Sequence, residues 1–214
     1  MPDASLTCID LWCKGGSYFE KEGEEGLAHF LEHMIFKGSN LLKEGEFDKK
    51  IEALGGSSNA ATGLDDVHYY VLVPDNAVSN AINLLLNLAL TPSLEDNPYL
   101  LEREVVLEEI AQYKDQPEER IFQILLENCW PNHAYGRSIL GFEKSLKSTI
   151  PDDMRRFHKR QYQPKNLCLA IAGKIPLDIE NIINISDLSK IDKYNLNNSS
   201  KENSSALNFC SGRK

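Results

Sequence analysis

The sequence has no cysteine framework. Its five cysteines, Cys8, Cys13, Cys129, Cys168 and Cys210, are odd in number and widely spaced, with no C-x-x-C pair. That argues against a disulfide-stapled scaffold and against a thiolate zinc ribbon. They read as mostly buried small apolar residues in a reducing compartment. No apolar run approaches the roughly 18 residues of a membrane span. Met1-Pro2-Asp3 does not lead into a basic region and an apolar stretch, so no signal peptide is expected and the compartment reads as cytoplasmic. Positive charge is also short: 23 Lys and Arg against 32 Asp and Glu leave a net charge of −9, which argues against nucleic-acid binding. No internal repeat is visible. What remains is an ordinary soluble composition, 42% hydrophobic and 26% charged over 214 residues, enough for one sizeable core.

Against that background one stretch stands out, Glu25 to Lys37, E-G-L-A-H-F-L-E-H-M-I-F-K. Leu27, Phe30, Leu31, Met34 and Ile35 follow helical spacing, and Glu22, Glu24 and Glu25 suit the positive end of a helix dipole. Lys37-Gly38 is a typical helix stop. On such a helix His29 and His33 share a face, with Glu32 close beside them. Two imidazoles on one face can hold a divalent metal such as zinc, and Glu32 is then placed to take a proton from water at that metal. H-x-x-E-H is the inverse of the commoner H-E-x-x-H zinc-protease helix. A catalytic zinc usually takes three protein ligands, so a third is required from elsewhere.

The rest of the chain alternates strand and helix patterns. Leu6–Trp12 reads as a strand, Glu44–Leu54 as a short helix, Ser57–Thr62 as an edge strand and Asp66–Val73 as an alternating strand. A helix is expected over Asp75–Leu90 with Asp75 as its cap, another from Pro98 through Lys114, a third from Pro117 through Trp130, and a fourth from Pro151 through Tyr162. Residues 131–141 read as a loop. Asn166–Ala172 reads as a buried strand. A weak helical pattern runs from Ile175 to Leu188. From Asn195 to Asn208, nine of fourteen residues are Asn or Ser, a composition that cannot bury enough apolar surface to offset its ordering entropy. The expected fold is α+β, a largely antiparallel sheet flanked by helices. One domain is expected over residues 1–174, with a weakly structured tail over 175–214.

The helix after Pro98 carries Glu102, Glu104, Glu108 and Glu109. Glu102 and Glu109 lie two turns apart on one face. A charge run on a helix is ordinarily a solvated face, and spacing alone leaves Glu108 and Glu109 equally open as ligands. The remaining histidines take plain readings: His68 on a strand face among tyrosines, His133 in a Pro-Asn loop, and His158 on a basic surface helix face.

Five motifs in order resemble the insulinase/pitrilysin/mitochondrial-processing-peptidase family over about residues 5–174. They are H-F-L-E-H-M-I-F-K-G, G-G-S-S-N-A-A-T, E-R-E-V-V-L-E-E-I, Y-G-R-S-I-L-G and Y-Q-P-K-N-L-C-L-A-I-A-G. The resemblance implies a zinc metalloendopeptidase in which His29, His33 and Glu109 bind one zinc ion and Glu32 is the general base. Glu102 then matches an acidic position supporting the catalytic site. Asn59 and Ala60 match an edge strand whose backbone pairs with an extended peptide substrate. Arg137 matches the signature only and reads as structural. Family enzymes have two homologous halves that close like a clamshell, the second supplying an Arg and a Tyr that hold substrate. This chain matches the N-terminal half alone and begins one strand late. The implied partner is therefore a second-half domain or subunit. The rival expectation is a truncated or non-catalytic zinc-binding subunit serving in interaction.

Overall fold

The computed structural model describes residues 4–176 and Ile179. Four strands and seven α-helices occur among them, in the order β1 Leu6–Cys13, α1 Leu27–Ile35, α2 Glu46–Ala53, β2 Ser57–Thr62, β3 Val67–Pro74, α3 Val78–Leu90, α4 Asp96–Lys114, α5 Pro117–Cys129, α6 Glu143–Ser148, α7 Pro151–Gln161 and β4 Leu167–Ala172. The strands form one antiparallel sheet in the order β2-β3-β1-β4. This is the expected α+β class.

Period-two alternation sends Ile9, Leu11 and Cys13 of β1, with Val67, Tyr69, Val71 and Val73 of β3, to one face, where each is buried. Helices α1 and α3 pack on that face, and α4 lies across α1. Nine residues are too few for a helix to persist alone. Leu27, Phe30, Leu31, Met34 and Ile35 are all fully buried. At roughly 1.5–3 kcal/mol apiece that burial is worth on the order of 10 kcal/mol gross, which dwarfs any intrinsic helix preference. The core thus holds α1, and α1 carries the paired histidines.

Several expectations need correction. Only Cys13 is buried among the described cysteines; Cys8 is half-buried, and Cys129 and Cys168 are exposed. Cys8 and Cys168 sit on the sheet face away from the helices, and Cys129 ends a helix that buries nothing. Among the described residues strand β4 is an edge strand with no fully buried residue, because the described helices cover only one face of the sheet. Asp75 does not cap α3; the helix starts at Val78, and Asp75 pairs with Lys174 at 2.7 Å. His158 is not a free surface side chain: its Nε2 lies 2.9 Å from the Ala89 carbonyl oxygen, and its ring stacks on Tyr162. Helix α6 lay in a stretch given no element. The tail beyond Ile179, with Cys210, lies outside the described residues.

Glu20 is buried beneath the first turn of α1. Burial pushes its carboxyl up to about 8, against the N–H groups of Ala28 and Gly26 and the charge of Arg137, while Glu25 pushes further upward. A carboxyl raised on folding contributes stability that is fully present below its ordinary value of 4.5 and is lost as pH rises toward about 8. Glu20→Gln removes that titration. The unfolding midpoint of the wild type is therefore expected to fall relative to that of Glu20→Gln between pH 5 and pH 8, by the equivalent of about 1 to a few kcal/mol. Parallel curves in a pH series of thermal melts would count against it.

Candidate metal centre

Helix α1 turns His29 and His33 outward from the core toward α4, their ring centroids 4.7 Å apart. Along α4, Tyr99, Glu102, Val106 and Ile110 are buried toward α1, and Glu109 is half-buried on the same side. The structure brings Glu109 to the histidines: its carboxylate oxygens lie 3.7 Å from His29 Nε2 and 3.5 Å from His33 Nε2. Glu108, left open by spacing, is exposed to solvent. His29, His33 and Glu109 each offer one ligand atom, all within 4.8 Å of one another, the one such group of three among the described residues.

Burial, followed by the neighbouring His33, lowers His29 to about 4, which leaves the ring neutral at pH 7. Its Nδ1 is buried without a hydrogen-bond partner among the described residues. His33 is held differently: Nδ1 lies 3.0 Å from Glu102 Oε1, which directs Nε2 to the cluster. Glu102 is itself engaged by Lys37 at 2.7 Å, and Lys37 also meets Glu44 at 3.1 Å. Burial alone would raise Glu102, but Lys37 and His33 outweigh it and hold the carboxylate below its ordinary value.

Glu32 shares the histidine face of α1 and is half-buried. Burial raises its pKa, against the Thr62 hydroxyl, which donates to Oε2, and the charge of His33. Thr62 closes strand β2, so the sheet edge and the α1 carboxylate are directly joined. Asn59 and Ala60 lie mid-strand on that edge. Asn59 Oδ1 accepts from the Ala60 N–H at 2.9 Å. Arg137 stands away from the cluster, donating to the carbonyl oxygens of Ser17 and Glu20. His68 stacks between Trp12 and Tyr70 on the open sheet face and pairs with Asp10. Two participants are not picked out by the sequence reading: Thr62, which contacts Glu32, and Lys37, which holds Glu102.

An antiparallel sheet whose buried helix sets a His-x-x-Glu-His face against a distant glutamate has the architecture of a metallopeptidase. The insulinase family model, peptidase family M16, matches residues 2–143, and the chain belongs to that family. A Bacillus subtilis protein described as an uncharacterized zinc protease, YmxG, is 32% identical over 174 residues, covering 81% of this chain and 42% of the relative. An Arabidopsis thaliana protein named "Probable mitochondrial-processing peptidase subunit beta" is 31% identical over 172 residues, 80% of this chain and 32% of its own length. The crystal structure of a protease from Helicobacter pylori superposes with a TM-score of 0.79 at 26% identity, covering 97% of this chain and 49% of that one. The chain thus spans half or less of the length of these proteins. No helix among the described residues is long and apolar enough to cross a membrane.

Proposed function

We propose that this chain is the catalytic half of a zinc metalloendopeptidase acting on extended peptides. The observation that carries the reading is the convergence of His29, His33 and Glu109 within 4.8 Å, beside Glu32. The donor set suits zinc: two imidazoles and one carboxylate leave a fourth position for water or substrate. When bound there, the ion supplies Lewis-acid polarisation of a carbonyl and makes water more acidic. Glu32, raised by burial and steered by Thr62, takes a proton from water and passes it to the leaving amine. Glu102 orients His33 from behind, and Lys37 keeps Glu102 charged and in place. The edge at Asn59 and Ala60 receives the peptide as an added strand. For that the Asn59 side chain releases the Ala60 N–H it now holds.

A second reading has its own support. The chain spans under half the length of several relatives, and α5 buries no residue. Both fit a zinc-binding subunit that works only as part of an assembly.

Zinc titration of the purified chain against a chromophoric chelator tests the metal reading. One ion per chain is expected, and no uptake would sink it. Glu102→Ala should weaken zinc binding by roughly 10–100-fold, as loss of a ligand-orienting partner does. An affinity equal to wild type would show that Glu102 does not orient His33.

A further inference from the structure

Helix α1 has no cap of its own. Its N-cap is Gly26, at φ 91°, with no side-chain acceptor, and its first turn carries no acidic residue. The first amides of a helix have no intrahelical partner and need one from elsewhere. Here Glu20, six residues earlier, supplies it: Oε1 accepts from Gly26 N at 3.1 Å and from Ala28 N at 2.8 Å. Ala28 directly precedes His29. Glu20 is itself tied down, because Arg137 Nη2 donates to the carbonyl oxygens of Ser17 at 3.2 Å and Glu20 at 3.1 Å. The loop that carries Arg137 then meets the start of α1 again. Gly26 and Gly141 lie back to back: a methyl on Gly26 would stand 2.4 Å from the Leu140 carbonyl oxygen, and one on Gly141 2.3 Å from that of Glu25. Ser145 Oγ donates to the same Glu25 oxygen at 2.8 Å.

We propose that Glu20, held by Arg137, is a positioning residue of the metal centre, setting the height and rotation of α1 and so where His29 and His33 stand against Glu109. The inference rests on the reading of those three residues as a zinc site. Two ligands ride on α1 and the third on α4, so the site exists only if the two helices keep one register. A slip of one residue moves a helix about 1.5 Å, whereas ligand distances tolerate only about 0.2 Å. The C-terminal half of α1 is pinned to α4 through Glu102, which holds both His33 and Lys37. Glu20 pins the other end.

The cluster is built at the expense of stability. Glu20 Oε2, Ser17 Oγ and Arg137 Nε are buried with no hydrogen-bond partner among the described residues, and each such orphan is costly. A local Ser or Asp at the cap would satisfy the helix without burying a carboxyl. What the distant cap adds is a fixed link between the helix start and the 136–141 loop.

The test is zinc affinity of the 214-residue protein, measured by chelator competition well below each variant's unfolding midpoint, with folding checked by circular dichroism. Glu20→Ala is expected to weaken zinc binding about tenfold or more, in the range seen when outer supports of a metal site are lost. Glu20→Gln, which keeps the acceptor oxygen, should stay within about threefold of wild type on the same reasoning. Arg137→Met should weaken binding by several-fold and serves if Glu20→Ala does not fold. A purely structural role would lower the unfolding midpoint and leave the affinity of the folded protein unchanged; that result in Glu20→Ala or Arg137→Met overturns the proposal. A wild type that binds no zinc sinks the metal reading itself, and this inference with it. Equal affinity in wild type and both variants sinks this inference alone.

Discussion

Elemental analysis of the His33→Ala protein is expected to find zinc far below one ion per chain, while the Glu32→Gln protein keeps its full complement. His33 is the junction of the cluster. Its Nε2 faces Glu109 at 3.5 Å and its Nδ1 faces Glu102 at 3.0 Å. Its removal takes away the ligand that Glu102 orients. Losing an outer support alone costs roughly 10–100-fold in affinity, so losing the ligand should cost more. The fold should survive, because His33 is only half-buried and the core side of α1 is untouched. Lys37 still pairs with Glu102 in the variant, so no buried carboxylate is left without a cation. Glu32→Gln is the opposite case. The amide keeps the shape of the side chain and an oxygen for the Thr62 hydroxyl, but it cannot take a proton. Turnover by the assembled enzyme should fall by about 10²–10⁴-fold, the usual share of a general base. Zinc loss from Glu32→Gln would contradict the assignment, since Glu32 would then be a ligand.

That these two residues share one face was legible in the sequence because both sit in one helical repeat. Period 3.6 is enough to put His29, Glu32 and His33 on one face. The third member was not legible the same way. Glu108 and Glu109 lie about 100° apart around α4, and which of them faces α1 depends on how the two helices lie against each other. Strand β4 was misread for a related reason. L-C-L-A-I-A is an apolar run whether one face is covered or both, and a local pattern does not report that the strand ends the sheet. Helix α6, E-K-S-L-K-S, has one leucine in six residues, too little periodicity to register. Glu20 was hidden because it caps a helix from outside its own turn. The available signal was indirect: a helix opening on Gly26 with no Ser, Thr, Asp or Asn at its cap had to borrow an acceptor. The α+β class, the strands β1 to β3 and the helical position of α1 followed from pattern alone, because there the local period and the global packing agree.

The purified chain alone is expected to bind zinc and cleave peptides very poorly, and to gain at least about a hundredfold in rate when a second-half protein of the family is added. Much of enzymatic acceleration comes from holding the reactants in place, on the order of 7–11 kcal/mol in the best cases. On the proposed reading, this chain supplies one wall of such a site. Strand β2 is a sheet edge among the described residues, and Thr62 on that strand contacts the proposed base. A peptide laid along β2 would be fixed on one side only. The surfaces left open are those a partner would cover. On α5, Ile121 is 68% exposed, Phe122 55% and Leu125 54%, and on α4 Leu101 is 73% exposed. Apolar surface on this scale, with two sheet edges among the described residues, favours association. Sedimentation of the isolated chain should therefore depend on concentration, and Phe122→Asp with Leu125→Asp should suppress both self-association and the gain from the partner while leaving zinc stoichiometry at one. The solved Helicobacter pylori protease is about twice as long as the matched region. Robust, chelator-sensitive peptidase activity from a monodisperse monomer would show that the single half is sufficient. The exposed α5 face would then need another explanation, because catalysis would not require anything to cover it.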